Sequence, residues 1–261
     1  MAFTVHAVMP GVWHIVDCMG VCMTLLEGEN AAMLVDTGYG IEDVADFMRH
    51  MTDLPLTVFL THNHHDHAMG ARCFPETYML EADMADWCMF TDDKMRRRVL
   101  TQAIGKNLPV DEKTFLAGEI PLPKVMKPGV IDLGGLTAEI IEAPGHTPGS
   151  AVVYVPERKL LLSGDDWNPC TWLFFPQALG LREYRSNMRG IQQLPFEKVL
   201  CPHREALYDR WMFDDFFNAL TDGNLRAAEP VNIAPYEQID TCQATLPHDQ
   251  VLVFDWAKSG L

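Results

Sequence analysis

Short apolar runs broken by glycine and acidic turns dominate the first sixty residues. "GVWHIVD", "VCMTLLEGEN" and "AAMLVDTG" are too short for helices and read as strands; "IEDVADFMRHM" spaces its apolar positions at helical intervals, and "LTVFLTH" returns to strand. A second block repeats this grammar through "GVIDLGG", "LTAEIIEAPGH", "SAVVYVPERKLLLSGDD", a helical "LREYRSNMRGIQQL" and "EKVLCPHRE". The order of elements repeats while the residues do not, which points to a structural duplication without a sequence repeat. Between the blocks, helix-like pieces and the proline-rich "GEIPLPKVMKPG" predict a helical insertion or lid around residues 81–128, its prolines barring regular helix and central strand. Beyond "CPHRE", "ALYDRWMFDDFFNALTDG" predicts a surface helix ending at Gly223, and "QVLVFDWAK" a last strand. No Gly/Ser linker separates these pieces, so residues 1–261 are expected to form a single α/β domain.

Composition narrows the class. Hydrophobic residues make up 48% of the chain and charged residues 21%, enough apolar material for a substantial core. A formal net charge of -16 would repel phosphate backbones and anionic headgroups, so neither nucleic acid nor a membrane is the expected partner. The basic run Arg96-Arg97-Arg98 reads as one solvated helix face. Seven cysteines without a CxxC pair suggest reduced thiols, and the N-terminal "MAFTVHAVMPGVWHIV" lacks the features of a secretory signal; a cytoplasmic protein is expected.

The candidate chemistry begins at "THNHHDHAMG", where His62, His64, Asp66 and His67 crowd together. On an extended chain His62 and His64 point to the same side and His65 to the other, so His65 is read as a bystander. Imidazole nitrogen and carboxylate oxygen suit zinc and also permit iron or manganese. His146 in "EAPGHTPGS", Asp165 in "LLLSGDDW" and His203 in "VLCPHRE" add candidates at strand-to-loop junctions. His6, His14, His50 and His248 stand outside these groupings and read as surface or packed polar residues.

In this order and spacing, "THNHHDHAMG", "APGHTPGS", "LLSGDD" and "CPHRE" resemble the successive motifs of the metallo-β-lactamase superfamily. The resemblance implies a four-layer αββα sandwich with the site at one edge between two sheets. It assigns His62, His64 and His146 to a first metal, Asp66, His67 and His203 to a second, and Asp165 to a bridging position, chosen over Asp166 because the motif is a Gly-Asp step after an apolar strand. Two divalent metal ions, zinc first with iron or manganese as alternatives, would then support hydrolysis by a metal-bridging hydroxide that Asp66 orients. The implied substrate is a small-molecule ester, thioester, lactone or amide. A mononuclear iron dioxygenase of the persulfide dioxygenase type, using His62, His146 and Asp165, is the alternative. Asp36 and Thr37 resemble the family's strand-end Asp-Thr-Gly step that supports the site from behind the ligands. The aromatic and methionine residues Met84, Trp87, Met89, Phe90, Trp167, Trp172, Phe174 and Phe175 leave two readings open, core or pocket wall.

Overall fold

Strand side chains alternate between two different cores, which is why these strands read as nearly continuous apolar runs. In the strand Ala151–Val155, Val152 and Tyr154 face one core while Ala151, Val153 and Val155 face another. Ala32–Val35 behaves likewise, with Ala32 and Leu34 on one side and Met33 and Val35 on the other. The computed structural model, which describes residues 3–261, is thus organised as helices on sheet on sheet on helices. The helix Val44–Met51 covers Leu25, Leu34 and Val58 with Val44, Ala45 and Met48. Leu26, Met33 and Phe59 meet Ile140, Val153 and Leu162 between the sheets. Leu181, Tyr184 and Met188 of the helix Leu181–Ile191 close the far face over Val152, Leu161 and Val199. The expected four-layer αββα sandwich is what the chain forms.

Two sheets carry the repeated grammar. The first runs in chain order from Thr4–Met9 to Lys124–Val125, and its antiparallel strands give way to a parallel pair, Ala32–Val35 with Leu56–Phe59, joined across the helix Val44–Met51. In the second, antiparallel strands lead to Leu160–Leu162, which pairs in parallel with Lys198–Leu200 after the helix Leu181–Ile191. The C-terminal ends of both parallel pairs are where the candidate site residues emerge.

One expectation holds with an addition, and two need correction. The predicted last strand exists as Gln250–Asp255, but it belongs to a third sheet with Cys170–Leu173, Thr241–Leu246 and Glu229–Pro230, which the apolar pattern did not separate from the others. The surface helix Arg210–Ala219 stops before Gly223, because Thr221 caps a new short helix, Asp222–Arg226, by accepting from Asn224 N. The basic run is not one solvated face. Arg97 and Arg98 are exposed, whereas Arg96 is 1% exposed and donates to the carbonyls of Phe115, Ala117 and Gly118. These contacts tie the helix Asp93–Gly105 to the chain after Glu112–Phe115, within the insertion expected around residues 81–128.

Arg96→Leu should therefore destabilise the protein by about 2–4 kcal/mol, because three carbonyls lose their donor, while Arg97→Leu should stay within about 0.5 kcal/mol. Urea unfolding of both variants checks this; equal midpoints would contradict the role given to Arg96.

Candidate metal centre

Parallel strands place their C-terminal ends side by side, and the chain uses this twice. Ala32–Val35 delivers Asp36 beside Thr61 and His62, which follow Leu56–Phe59. Leu160–Leu162 delivers Asp165 beside His203, which follows Lys198–Leu200, with His203 Nε2 3.1 Å from Asp165 Oδ2. His146 comes from the loop between Thr137–Glu142 and Ala151–Val155. Two glycines permit this convergence. Gly164 sits at φ +51° immediately before Asp165, and a Cβ on Gly70 would lie 2.1 Å from the Thr37 carbonyl oxygen.

All seven predicted residues meet, in two groups. His62, His64, His146 and Asp165 form one; Asp66, His67 and His203 form the other, and within each group one donor atom per residue lies within 4.8 Å of the rest. Asp165 faces both: its Oδ2 is 3.5 Å from His146 Nε2, and its Oδ1 is 3.4 Å from His67 Nε2. Asp166 points elsewhere. Its Oδ1 accepts from His146 N at 3.0 Å, and its carbonyl accepts from the Tyr184 hydroxyl, so it shapes the histidine loop.

His62 and His64 converge for a different reason from the one expected. The strand ends at Phe59, and the chain turns through His64 into a short helix, His65–Ala68, leaving the two rings 4.7 Å apart. His65 lies outside both groups, edge-on to Tyr39 with its Nδ1 3.8 Å from Asp66 Oδ1, although the extended-chain argument does not apply to a helical residue.

The far nitrogen of most of these rings is held. His62 Nδ1 donates to Thr61 Oγ1, whose hydroxyl donates to Asp36; His67 Nδ1 donates to Asp36 Oδ2 at 3.0 Å; His146 Nδ1 donates to the Trp172 carbonyl at 2.7 Å. The Gln177 amide nitrogen lies 2.6 Å from His64 Nε2 and donates to it, which leaves the His64 proton on Nδ1. The inward nitrogens of His62 and His146 are then lone pairs. His64 Nδ1 donates to His146 Nε2 at 2.9 Å, whereas buried His62 Nε2, His67 Nε2 and Asp165 Oδ1 have no hydrogen-bond partner and are the atoms a cation would satisfy. This donor set fits a divalent cation.

Electrostatics divides the groups. Burial, followed by the neighbouring histidines, holds His62 and His64 well below the usual imidazole pKa, and burial lowers His146. Burial also opposes protonation of His67 and His203, but nearby carboxylates, Asp165 foremost, outweigh it and raise both. Burial works against ionised Asp66 too, yet His67, His65 and His203 bring its pKa down to about 2. Without metal, imidazolium protons occupy the place of cationic charge in the second group.

Supporting residues include the expected Asp36 and Thr37 and others, Asp83, His14 and Cys22, that carried no motif signal. Asp83, in the insertion, accepts from Asn63 N, Thr147 Oγ1 and Gly149 N, joining the loops of His64 and His146. Thr37 donates from both N and Oγ1 to the His67 carbonyl. Asp36 adopts φ 65°, a conformation uncommon for a residue with a side chain, while its carboxylate serves Thr61 and His67. His14 donates to the Arg204 carbonyl at 3.1 Å and Cys22 N to the Pro202 carbonyl at 2.7 Å, so first-half strands hold the His203 loop. The aromatic residues divide. Trp167, Phe174 and Trp87 are buried core, whereas Phe90, Trp172 and Phe175, with Tyr236, line a cleft of about 480 Å³ over the site.

The sequence profile of the metallo-beta-lactamase superfamily matches residues 16–203, and the chain belongs to that superfamily. A curated relative, acyl-coenzyme A thioesterase MBLAC2 of Gallus gallus, is 26% identical over 202 residues, covering 69% of this chain and 70% of its own. Among solved structures, the metallo-beta-lactamase family protein TTHA1429 of Thermus thermophilus superposes with a TM-score of 0.59 at 18% identity, covering 85% of this chain and 82% of its own. The protein TTHA1623, solved in a di-iron-bound form, superposes with a TM-score of 0.52 at 20% identity, covering 74% and 92%.

Asp36→Asn keeps the side-chain size and tolerates positive φ but alters the acceptor facing His67. Divalent-metal affinity of the Asp66–His67–His203 group should fall by about 10–100-fold, more than that of the other group. Chelator-competition titration measures this, and unchanged affinities would refute the support assigned to Asp36.

Proposed function

We propose that the protein is a dinuclear metal-dependent hydrolase of small-molecule acyl compounds, with an acyl thioester or ester as the first candidate and a lactone or amide as further ones. The observation that carries this reading is Asp165, whose carboxylate lies between the two groups, with Oδ2 3.5 Å from His146 Nε2 and 3.1 Å from His203 Nε2 and Oδ1 3.4 Å from His67 Nε2. In it, His62, His64 and His146 would hold one ion and Asp66, His67 and His203 the other, with Asp165 within reach of both groups. Zinc suits this nitrogen and oxygen set; iron, supported by the di-iron relative, and manganese suit it as well. Bound there, two divalent ions supply Lewis acidity, lowering the pKa of water and offsetting negative charge that develops on the substrate.

The chain does the rest. Asp66 lines the cleft, and its Oδ2, 3.7 Å from both His67 Nε2 and His203 Nε2, can orient a water and accept its proton. Phe90, Trp172, Phe175 and Tyr236 offer an apolar wall for the acyl portion. The thioesterase relative supports the choice of thioester. Seven unpaired cysteines suit a reducing cytoplasm, and no helix among the described residues is long and apolar enough to cross a membrane.

Metal analysis together with turnover assays on acyl thioesters, esters and lactones tests the proposal. About two ions per chain, with hydrolysis that disappears on chelation and returns on reloading, is the expected result. One iron per chain with oxygen uptake on a persulfide would instead establish the mononuclear dioxygenase. Asp165→Asn should lower metal content and reduce kcat/KM by more than about a hundredfold. Wild-type turnover in that variant would remove Asp165 from the bridging position.

A further inference from the structure

The cleft over the metal centre is unbalanced in charge. Its lining acids, Asp66 and Asp165, both belong to the ligand groups, while Arg98 and Arg204 add two cations. Arginines paired with carboxylates among the described residues are Arg49, Arg96, Arg185 and Arg210, none of which lines the cleft. Arg204 donates from Nη1 to the His203 carbonyl at 2.8 Å, which anchors it beside a candidate ligand and leaves most of its donors uncommitted. Arg98 stands one turn before Gln102 on the helix Asp93–Gly105, so both line the cleft from one helix face.

These cations belong to a chain with a net charge of -16, whose field opposes the approach of any anion. Exposed arginines without acidic partners are therefore most useful where an anion must be accepted. The cleft is also chemically divided, with the aromatic wall of Phe90, Trp172, Phe175 and Tyr236 suited to an apolar chain and the guanidinium groups to phosphate or carboxylate.

We propose that Arg98 and Arg204 form a subsite for an anionic group, phosphate or carboxylate, on the alcohol or thiol portion of the acyl substrate, with Gln102 assisting from the same helix. This rests on the hydrolase reading for its substrate. The substrate class becomes an apolar acyl chain esterified to an anionic carrier. Water adds to the acyl carbonyl, the carbonyl carbon–sulfur or carbon–oxygen bond breaks, and the anionic thiol or alcohol departs with one of the water's protons while the acyl part leaves as carboxylate and the other proton passes to solvent.

The test uses the full metal-loaded chain and one acyl group carried on three thiols: neutral N-acetylcysteamine, carboxylate-bearing glutathione and phosphate-bearing coenzyme A. At least one anionic thioester should exceed the neutral one in kcat/KM by about tenfold or more, and added salt should compress that ratio. Preference for coenzyme A alone identifies phosphate; preference for both anionic carriers shows that a carboxylate suffices. In the double variant Arg98→Gln/Arg204→Gln the ratio should collapse toward one. Equal kcat/KM values across the three carriers in the wild type, or an unchanged ratio in the double variant, would overturn the subsite. Binding of the matching non-hydrolysable thioethers, followed by tryptophan fluorescence, separates this question from catalysis. Absence of turnover on all three with retained, arginine-dependent preference for an anionic thioether would leave the subsite standing and count against thioester hydrolysis. Equal thioether affinities would sink the subsite whatever the turnover.

Discussion

A carboxylate placed among histidines at the seam of two sheets is the constraint on which the site depends. Asp165 is 8% exposed, within reach of His62, His67, His146 and His203, and taking its charge out of water is costly unless opposite charge arrives. Protons on His67 and His203 can meet that need, as can metal ions. The arrangement is therefore biased toward capturing cations: neutral imidazoles offer lone pairs in one group, and in the other the protons to be displaced lie beside carboxylates that attract any replacement. The same charges that make this site useful would repel one another or remain unsatisfied if its loops drifted apart.

Keeping the loops together falls to side chains that never enter the donor groups. Asp36 joins Thr61 to His67, Asp83 joins the loops carrying His64 and His146, and His14 with Cys22 clasps the segment before and after His203. Each link crosses between segments far apart in sequence. Acidic residues occupy two of these positions because one carboxylate accepts several hydrogen bonds and can brace more than one backbone at once. Burial raises the pKa of Asp83, a cost countered by donation from Thr147, Gly149 and Asn63.

The sandwich was legible because the motif strings resemble those of a known superfamily, whose fold the resemblance implied; the apolar runs by themselves gave two strand-rich blocks. The donor residues were legible for the same reason: His62, His64, His146, Asp165 and His203 stand in the strings that carry the resemblance, which assigned them by position. What was not legible shows how weak local signals are when a residue acts across the fold. Arg96 sits among Arg97 and Arg98 with nothing to distinguish it, and only the return of the chain through Phe115 to Gly118 makes it a buried brace. Asp83 looks like any acid in a helical stretch. Gly223 was read as a stop signal, but a threonine cap had already started another helix there. In the aromatic segments composition could not separate core from wall, because both require large apolar side chains.

The third sheet shows how support can reach the site from a remote part of the chain. Trp167 is fully buried and donates to Gln250 Oε1 at 3.2 Å, and the strand that follows, Cys170–Leu173, is held in register by Gln250–Asp255. That register sets the Trp172 carbonyl that receives the His146 Nδ1 proton, and the next turn brings Phe175 edge-on to both His64 and His146. Orientation of a ring within the first donor group thus depends on a strand more than a hundred residues beyond it in the sequence. Trp172 links the two demands: its backbone fixes the histidine that faces the metal centre, and its partly exposed indole lines the cleft where an acyl chain would lie. A shift of the third sheet would accordingly disturb ligand geometry and substrate contact together, which couples the terminal strand to the site without any contact between them.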